Sequence, residues 1–397
     1  METQETSGKD LPRIGLITVG GGGLRIAGKI KDHIPSLCEL LLVDTDARAI
    51  SSYPGLPSLR IGKSLLRGLG CGGDPELGKL ALQSDRPKLT EFIKNKDLLL
   101  VLGCLGKGCA TGALPEITAL VGESRIPSFV VVSTPFEFEG KNPAKLAREA
   151  IVRMRKSADA IVELPNDLLL QEGGTDDRAD QLFDVSDHWM AQVVRSVVGP
   201  FHMPGLLSVD IATFRAALAG AECRTLFGVA RTPLAEDEPT ILRTLFRCPL
   251  LAGRAERMQT DQLLISIGSS GDLSTEKFAS LTYKLAEQFQ SKRKTVCGVW
   301  KDPSLGDDVE ISIFARTALG ENEGFSRGLD RVPVHQSKLA KNRRDNPKPR
   351  EQIEFTSLVD HNERGNLSSG EVEQYAGIDL DKPTFLRRGI KIQLPKI

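Results

Sequence analysis

No stretch of the 397-residue sequence supplies the roughly 18 consecutive apolar residues that a membrane span needs, so no spanning helix is expected. The opening METQETSGKD is polar and mixed in charge, with no apolar run behind a basic start, and does not read as a secretion signal. Excess charge is also missing: 52 basic and 52 acidic side chains give a formal net charge of zero, leaving no global field to hold nucleic acid or an anionic membrane. The seven cysteines (Cys38, Cys71, Cys104, Cys109, Cys223, Cys248 and Cys297) are scattered without a CxxC pair, and the five histidines are as dispersed. That usage excludes a disulfide framework or a zinc site and matches a cytosolic protein. Nor is there a Walker A loop, because GxxxxGK[ST] occurs nowhere and Lys107 is followed by Gly108.

What is present is a repeated arrangement of apolar strand, polar or glycine-rich turn, and helix. Ile14–Val19 runs into Gly20–Gly23 and a helix expected from Arg25 to about His33. Glu39–Val43 ends in Asp44–Asp46, and Leu98–Leu102 leads into Gly103–Gly112 with a helix expected from near Thr111. Ser128–Ser133 leads into Pro135–Gly140, and Ala160–Leu164 into Pro165–Asp167. Such alternation predicts an α/β domain with a mostly parallel sheet, its polar residues collected at the strand ends where open sheets bind ligands. A long amphipathic helix is expected over 177–198, followed by a second, smaller α+β domain. Its strands are Leu263–Ile267, Thr295–Trp300 and Val309–Ala315, the last alternating as a strand with one solvated or partly solvated face would. The implied organisation is a flexible extension (1–12), a nucleotide-binding domain (13–176), a central helix (177–200), an α+β domain (201–320), a linker with disorder (321–378) and a C-terminal peptide (379–397).

Two glycine runs, each between a strand and a helix, point to bound phosphate. Glycine lets the backbone approach an anion, and a helix start offers unpaired N–H groups and partial positive charge. Gly20, Gly21, Gly22 and Gly23 form the first run, and Gly106, Gly108 and Gly112 lie in the second beside Lys107, whose charge can reach a phosphate. The spacing of Gly20, Gly22 and Asp44 also imitates a dinucleotide fingerprint, which keeps a nicotinamide-dependent oxidoreductase open as a rival. Arg25 at the third glycine position speaks against it, and that rival leaves the second run unexplained.

Taken in order, these loops resemble those of the tubulin/FtsZ superfamily, on its bacterial cell-division side, from about Ile14 to Ala318. The first loop of that family resembles Val19–Gly23, with Arg25 in place of an asparagine. The second resembles Val43–Ala47, including Asp46, and the third Gly68–Gly78, including Gly72. The GGGTGTG signature is matched imperfectly by Gly106, Lys107, Gly108, Cys109, Ala110, Thr111 and Gly112. The resemblance implies GTP/GDP with Mg2+, a ribose contact at Glu139, a polar neighbour at Asn166, and guanine recognition by Asp187 beside Ser186, where the family has asparagine. Pro143 stands where an arginine contacts nucleotide. A paired carboxylate suits the N1–H and N2–H edge of guanine. Further implied are head-to-tail self-association into filaments and hydrolysis at the subunit interface by a loop resembling Met203–Thr213. That loop keeps Asp210 but has Ser208 for asparagine and Thr213 for a second aspartate. Losing that acidic partner implies slow turnover, or a regulatory homologue without turnover, while Arg25 and Lys107 are expected to bring positive charge towards the phosphates. Asp381–Arg388 resembles the family's C-terminal peptide for membrane-tethering and regulatory division proteins, placing the chain at the cytoplasmic division site.

Overall fold

Each apolar run that ends in glycine or an acidic residue becomes a strand in the computed structural model. The structure describes residues 12–31, 38–169, 179–202, 204–220, 223–251, 260–271, 273–291, 295–318, 374–375 and 378–379. Residues 1–11 of the expected N-terminal extension (1–12) lie outside them, as does the C-terminal peptide apart from Asp379.

The first half alternates β1 (Ile14–Val19), α1 (Gly20–Ile30), β2 (Cys38–Asp44), α2 (Ala47–Ser51), β3 (Ser58–Arg60), α3 (Lys63–Leu66), α4 (Pro75–Ile93), β4 (Leu98–Cys104), α5 (Gly108–Glu123), β5 (Ser128–Thr134), α6 (Lys141–Met154), β6 (Ala160–Pro165) and α7 (Asn166–Leu169). Its strands are parallel, in the order β3-β2-β1-β4-β5-β6. The order reverses between β1 and β4, so a crevice opens past their carboxyl ends. Both glycine runs follow these two adjacent strands.

Helix α8 (Ala179–His202) is 24 residues long, about 36 Å at 1.5 Å per residue. It packs against α1 and against strands of both halves. Then come β7 (Pro204–Leu207), α9 (Ile211–Leu218), β8 (Cys223–Pro233), α10 (Glu238–Phe246), β9 (Gln262–Ser269), α11 (Thr275–Gln288), β10 (Val296–Lys301) and β11 (Asp308–Ala318). These strands extend the same sheet, joined to the first half through one parallel pair, Val162 with Thr225. In the separate unit Pro333–Ile397, β12 (Gln374–Tyr375) pairs antiparallel with β13 (Ile378–Asp379). The rest of the expected linker lies outside the described residues.

The alternation of β11 is real, but its expected solvated face is covered. β11 lies between β8 and β9, and its polar residues Glu310 and Ser312 are as buried as Val309 and Ile311. Helix α8 supplies the polar cover: Gln192 donates to Glu310 at 2.9 Å, and Arg195 lies 3.5 Å from Glu310 and 2.6 Å from Asp302. Burial pushes the Glu310 carboxyl above its ordinary range, against the pull of Arg195. A carboxyl raised above its unfolded value of about 4.3 binds its proton more tightly when folded, so stability falls as pH rises through the folded value. Glu310→Gln keeps the neutral form at every pH. Its stability advantage over the wild type, measured by denaturant unfolding, is expected to grow from pH 4 upward and then level off; a constant difference would overturn this account.

Candidate nucleotide site

Both helices start earlier than their apolar periodicity predicts. Helix α1 begins at Gly20 rather than Arg25, and α5 at Gly108 rather than Thr111, so the glycines form the first helical turns. Periodicity cannot register residues without side chains, and for that reason it misplaced both starts. Neither start has a side-chain cap, which leaves backbone N–H groups available to an anion. The two turns touch: a Cβ on Gly20, whose φ is +75°, would lie 3.2 Å from the Ala110 Cβ, whereas one on Gly21 would meet nothing within 4 Å. In α5, a Cβ on Gly112 would fall 1.9 Å from the Pro75 carbonyl oxygen, so glycine there lets α4 and α5 cross closely.

The neighbouring loops are stitched to this pair of turns. Thr111 accepts from the Gly106 N–H at 2.9 Å, closing the loop ahead of α5, and Lys107 stands exposed at the helix start. A Cβ on Gly106 would meet Pro135 at 2.6 Å and Pro143 at 3.2 Å, so Pro143 packs on the loop. Asp46 accepts from the Arg48 N–H at 2.8 Å and caps α2, while Gly72 is left-handed with open space around it. Glu139 accepts from the Phe136 N–H of its own turn at 3.0 Å. Asp44, on which the dinucleotide reading leaned, is buried and accepts from the N–H groups of Thr45 and Asp46 at 2.6 and 3.1 Å, which leaves that reading without a presented carboxylate.

Three cysteines that look scattered in sequence meet these loops. A Cβ on Gly22 would lie 2.5 Å from Cys104 Sγ, and Cys71 Sγ sits 3.2 Å from the Thr45 hydroxyl. Cys109 hydrogen-bonds Cys71 and lowers its thiol below the ordinary value, the Thr45 contact acting the same way against burial. Their separation in sequence concealed this.

The end expected to read the base is occupied by the chain itself. Asn166, at the start of α7, accepts from the Ser186 hydroxyl at 2.8 Å, which places Asn166 beside the turn of α8 that carries Ser186 and Asp187. Asp187 is 0% exposed, and Arg25 holds it with two hydrogen bonds, Nε to Oδ2 at 2.5 Å and Nη2 to Oδ1 at 2.8 Å. Lys29, one turn further along α1, lies 3.0 Å from the same carboxylate and donates to Asp184 at 2.5 Å. Phe183 covers the guanidinium, 5.3 Å from its ring centroid, and packs edge-on against Phe136. Arg25 therefore does not bring its charge to the phosphates. Its hydrogen bonds to Asp187 raise its pKa. Lys29 and Asp184 were not singled out from the sequence, and Phe183 only as part of the apolar stripe of the long helix. Their signal was the i,i+4 spacing of Arg25 with Lys29 and of Phe183 with Asp187, on two helices of opposite charge.

The residues thus fit a nucleotide at one end and not at the other. Uncapped helix starts and an open Gly21 suit phosphates, while both oxygens of Asp187 already accept from Arg25. Among the described residues no three His, Cys, Asp or Glu side chains gather to hold a metal, so Mg2+ would depend on phosphate oxygens and water.

The third candidate group lies elsewhere in the subunit. Asp210 caps α9, accepting from the Thr213 N–H at 2.6 Å, and Ser208 is exposed just before it. From α9, Arg215 reaches Asp159 at 2.9 Å and the Arg125 carbonyl at 3.5 Å, residues that precede β6 and β5. Asp210 is therefore at the amino ends of the parallel strands, whereas the glycine turns follow their carboxyl ends. A seven-residue strand separates these ends by about 20 Å. One subunit does not bring Asp210, Ser208 and Thr213 to its own glycine turns.

A parallel open sheet with paired glycine turns at its reversal point, continued through a long helix into a set of parallel and antiparallel strands, defines a tubulin-like α/β fold. Residues 13–173 match the Tubulin/FtsZ family, GTPase domain. The cell division protein FtsZ of Pseudomonas putida is 28% identical over 396 residues, covering 95% of this chain and 96% of that protein. That of Azotobacter vinelandii is 28% identical over 313 residues, 77% of each. Among solved structures, the empty FtsZ dimer of M. jannaschii shares the fold with a TM-score of 0.71 at 22% identity, over 78% of this chain and 89% of that one. CetZ2 from Haloferax volcanii, solved as a GTPgS-bound protofilament, has a TM-score of 0.65 at 17% identity, over 76% and 92%. Residues 13–173 are thus similar to the GTPase domain of the Tubulin/FtsZ family, and nearly the whole chain is similar to FtsZ.

Proposed function

We propose that this chain is a subunit of a bacterial division filament that holds GTP with Mg2+ on its paired glycine turns, stacks head to tail, and hydrolyses GTP slowly at the contact between subunits. The carrying observation is the placement of Asp210 at the opposite end of the sheet from the glycine turns. A carboxylate there can meet a nucleotide only when another copy is stacked beneath, through a heterologous contact that propagates. Exposed apolar residues at both ends favour such stacking: Leu69 and Phe138 beside the nucleotide loops are 83% and 64% exposed, and Leu207 before the Asp210 turn 42%. Self-association is also in keeping with the similar FtsZ solved as a dimer and the CetZ2 solved as a protofilament. Asp210 would position water, with Ser208 and Thr213 in place of the usual partners, so turnover is slow. The C-terminal peptide would recruit membrane-tethering or regulatory proteins and place the filament at the cytoplasmic division site.

A second reading, a family homologue that co-assembles without turnover, is favoured by the Arg25–Asp187 pair, which opposes entry of the base. Sedimentation and phosphate release, followed together against protein concentration with GTP, separate the two. Polymer accompanied by slow phosphate release above a critical concentration supports the slow enzyme. Polymer without release supports the homologue, and turnover equal to that of an ordinary family member overturns the slow reaction.

A further inference from the structure

We propose that Arg25 is an internal occupant of the base-reading position, a side chain that competes with the guanine ring for Asp187 and so sets how readily guanine nucleotide enters. This rests on the reading of Asp187 as the group that recognises guanine.

The chemistry of the two occupants is the same. The N1, C2 and N2 atoms of guanine form part of a guanidine unit, and its N1–H and N2–H groups lie side by side for a carboxylate. Arg25 presents Nε–H and Nη2–H to the two oxygens of Asp187 in the same parallel fashion, at 2.5 and 2.8 Å. It does so beneath an aromatic face, Phe183 at 5.3 Å, the kind of surface on which a base also stacks. With Asp187 fully buried, one carboxylate edge cannot accept both occupants.

The charged occupant has the advantage. Arg25 neutralises Asp187 and makes charge-assisted hydrogen bonds, whereas guanine is neutral, so the base alone is the weaker competitor. Phosphates held by the glycine turns would have to drive the exchange. The exchange is possible because Arg25 is 37% exposed and Lys29 stays 3.0 Å from Asp187, leaving a cation beside the carboxylate when Arg25 leaves. Asp184, 64% exposed and already paired with Lys29, offers the displaced guanidinium a nearby acidic neighbour.

The test is equilibrium binding of a fluorescent GTP analogue to the full chain, comparing wild type with Arg25→Asn, Asp187→Asn and the double variant. Arg25→Asn is expected to bind at least tenfold more tightly than the wild type and to prefer GTP over ATP. The double variant should lose that gain, and ITP, which lacks the N2 amino group, should gain less than GTP. Millimolar methylguanidinium should compete with the analogue on Arg25→Asn and not on the wild type. Equal or weaker binding by Arg25→Asn, with Asp187→Asn still weakening the wild type, would overturn the internal occupant while leaving guanine recognition intact. If neither substitution altered GTP binding, or GTP and ATP bound alike in every variant, the base-reading role of Asp187 would fall and the proposal with it. Should Arg25→Asn not fold, Arg25→Lys keeps the charge without the paired donors and is expected to tighten binding severalfold. A thermal midpoint of Arg25→Ala raised by methylguanidinium, with the wild type unmoved, reads the same vacancy without nucleotide; no shift in either counts against it.

Discussion

Asp210→Asn is expected to slow phosphate release within filaments by on the order of 100-fold, with folding and assembly retained. The choice of asparagine matters because Asp210 has two roles that alanine would remove together. Its carboxylate caps α9 through the Thr213 N–H at 2.6 Å. Losing a cap costs about 1 kcal/mol, and asparagine caps as well as aspartate. Asp210→Asn therefore keeps the helix start and removes only the charge that would orient water and balance a bound cation. The backbone N–H of Thr213 already holds the Asp210 carboxyl below its ordinary range, so it is ionised at neutral pH. Mixing experiments supply the decisive control. If the group acts on a neighbour's nucleotide, filaments of wild type and Asp210→Asn should release phosphate in proportion to the fraction of wild-type contacts. Normal release by Asp210→Asn filaments would remove Asp210 from the reaction.

The second large effect is structural. Phe314→Ala is expected to cost about 3–5 kcal/mol, read as a lowered denaturant midpoint and a melting temperature lower by roughly 10 °C. Phe314 is completely buried on β11, with ring centroids 5.6 Å from Phe129 on β5, 5.1 Å from Phe227 on β8 and 6.3 Å from Phe214 on α9. These rings join the two halves of the sheet where backbone pairing is thinnest, at the single Val162–Thr225 pair. A cavity there loosens that junction, and Phe314→Leu should restore part of the loss. Truncation without measurable destabilisation would show that the halves are held together elsewhere.

Several elements were legible because their signals are local. β1, β4, β5 and β6 start where their apolar runs start, and their ends drift by no more than two residues. β8 was not anticipated: Gly228 and the polar residues around it break the apolar pattern, yet a Cβ on Gly228 would lie 2.1 Å from Leu251, so a side chain there would displace that leucine. Helix α4 escaped notice because Pro87 and a run of charged and polar residues blur its apolar stripe. The covered face of β11 was misread because alternation reports which residues share a face, not what lies over it.

By itself the sequence determined the parallel half of the sheet, both glycine turns and the family resemblance, because strand periodicity, backbone freedom at glycine and the order of loops are written along the chain. Tertiary structure alone decided that the turns adjoin, that Asp210 stands at the far end of the sheet, and that Arg25 holds Asp187 across 162 residues. Side-chain pairing between distant helices depends on the register and rotation with which α1 and α8 pack, and neither is encoded in any local window. Arg25, a substituted position in the sequence, becomes in the folded chain the partner of the carboxylate that would read the base.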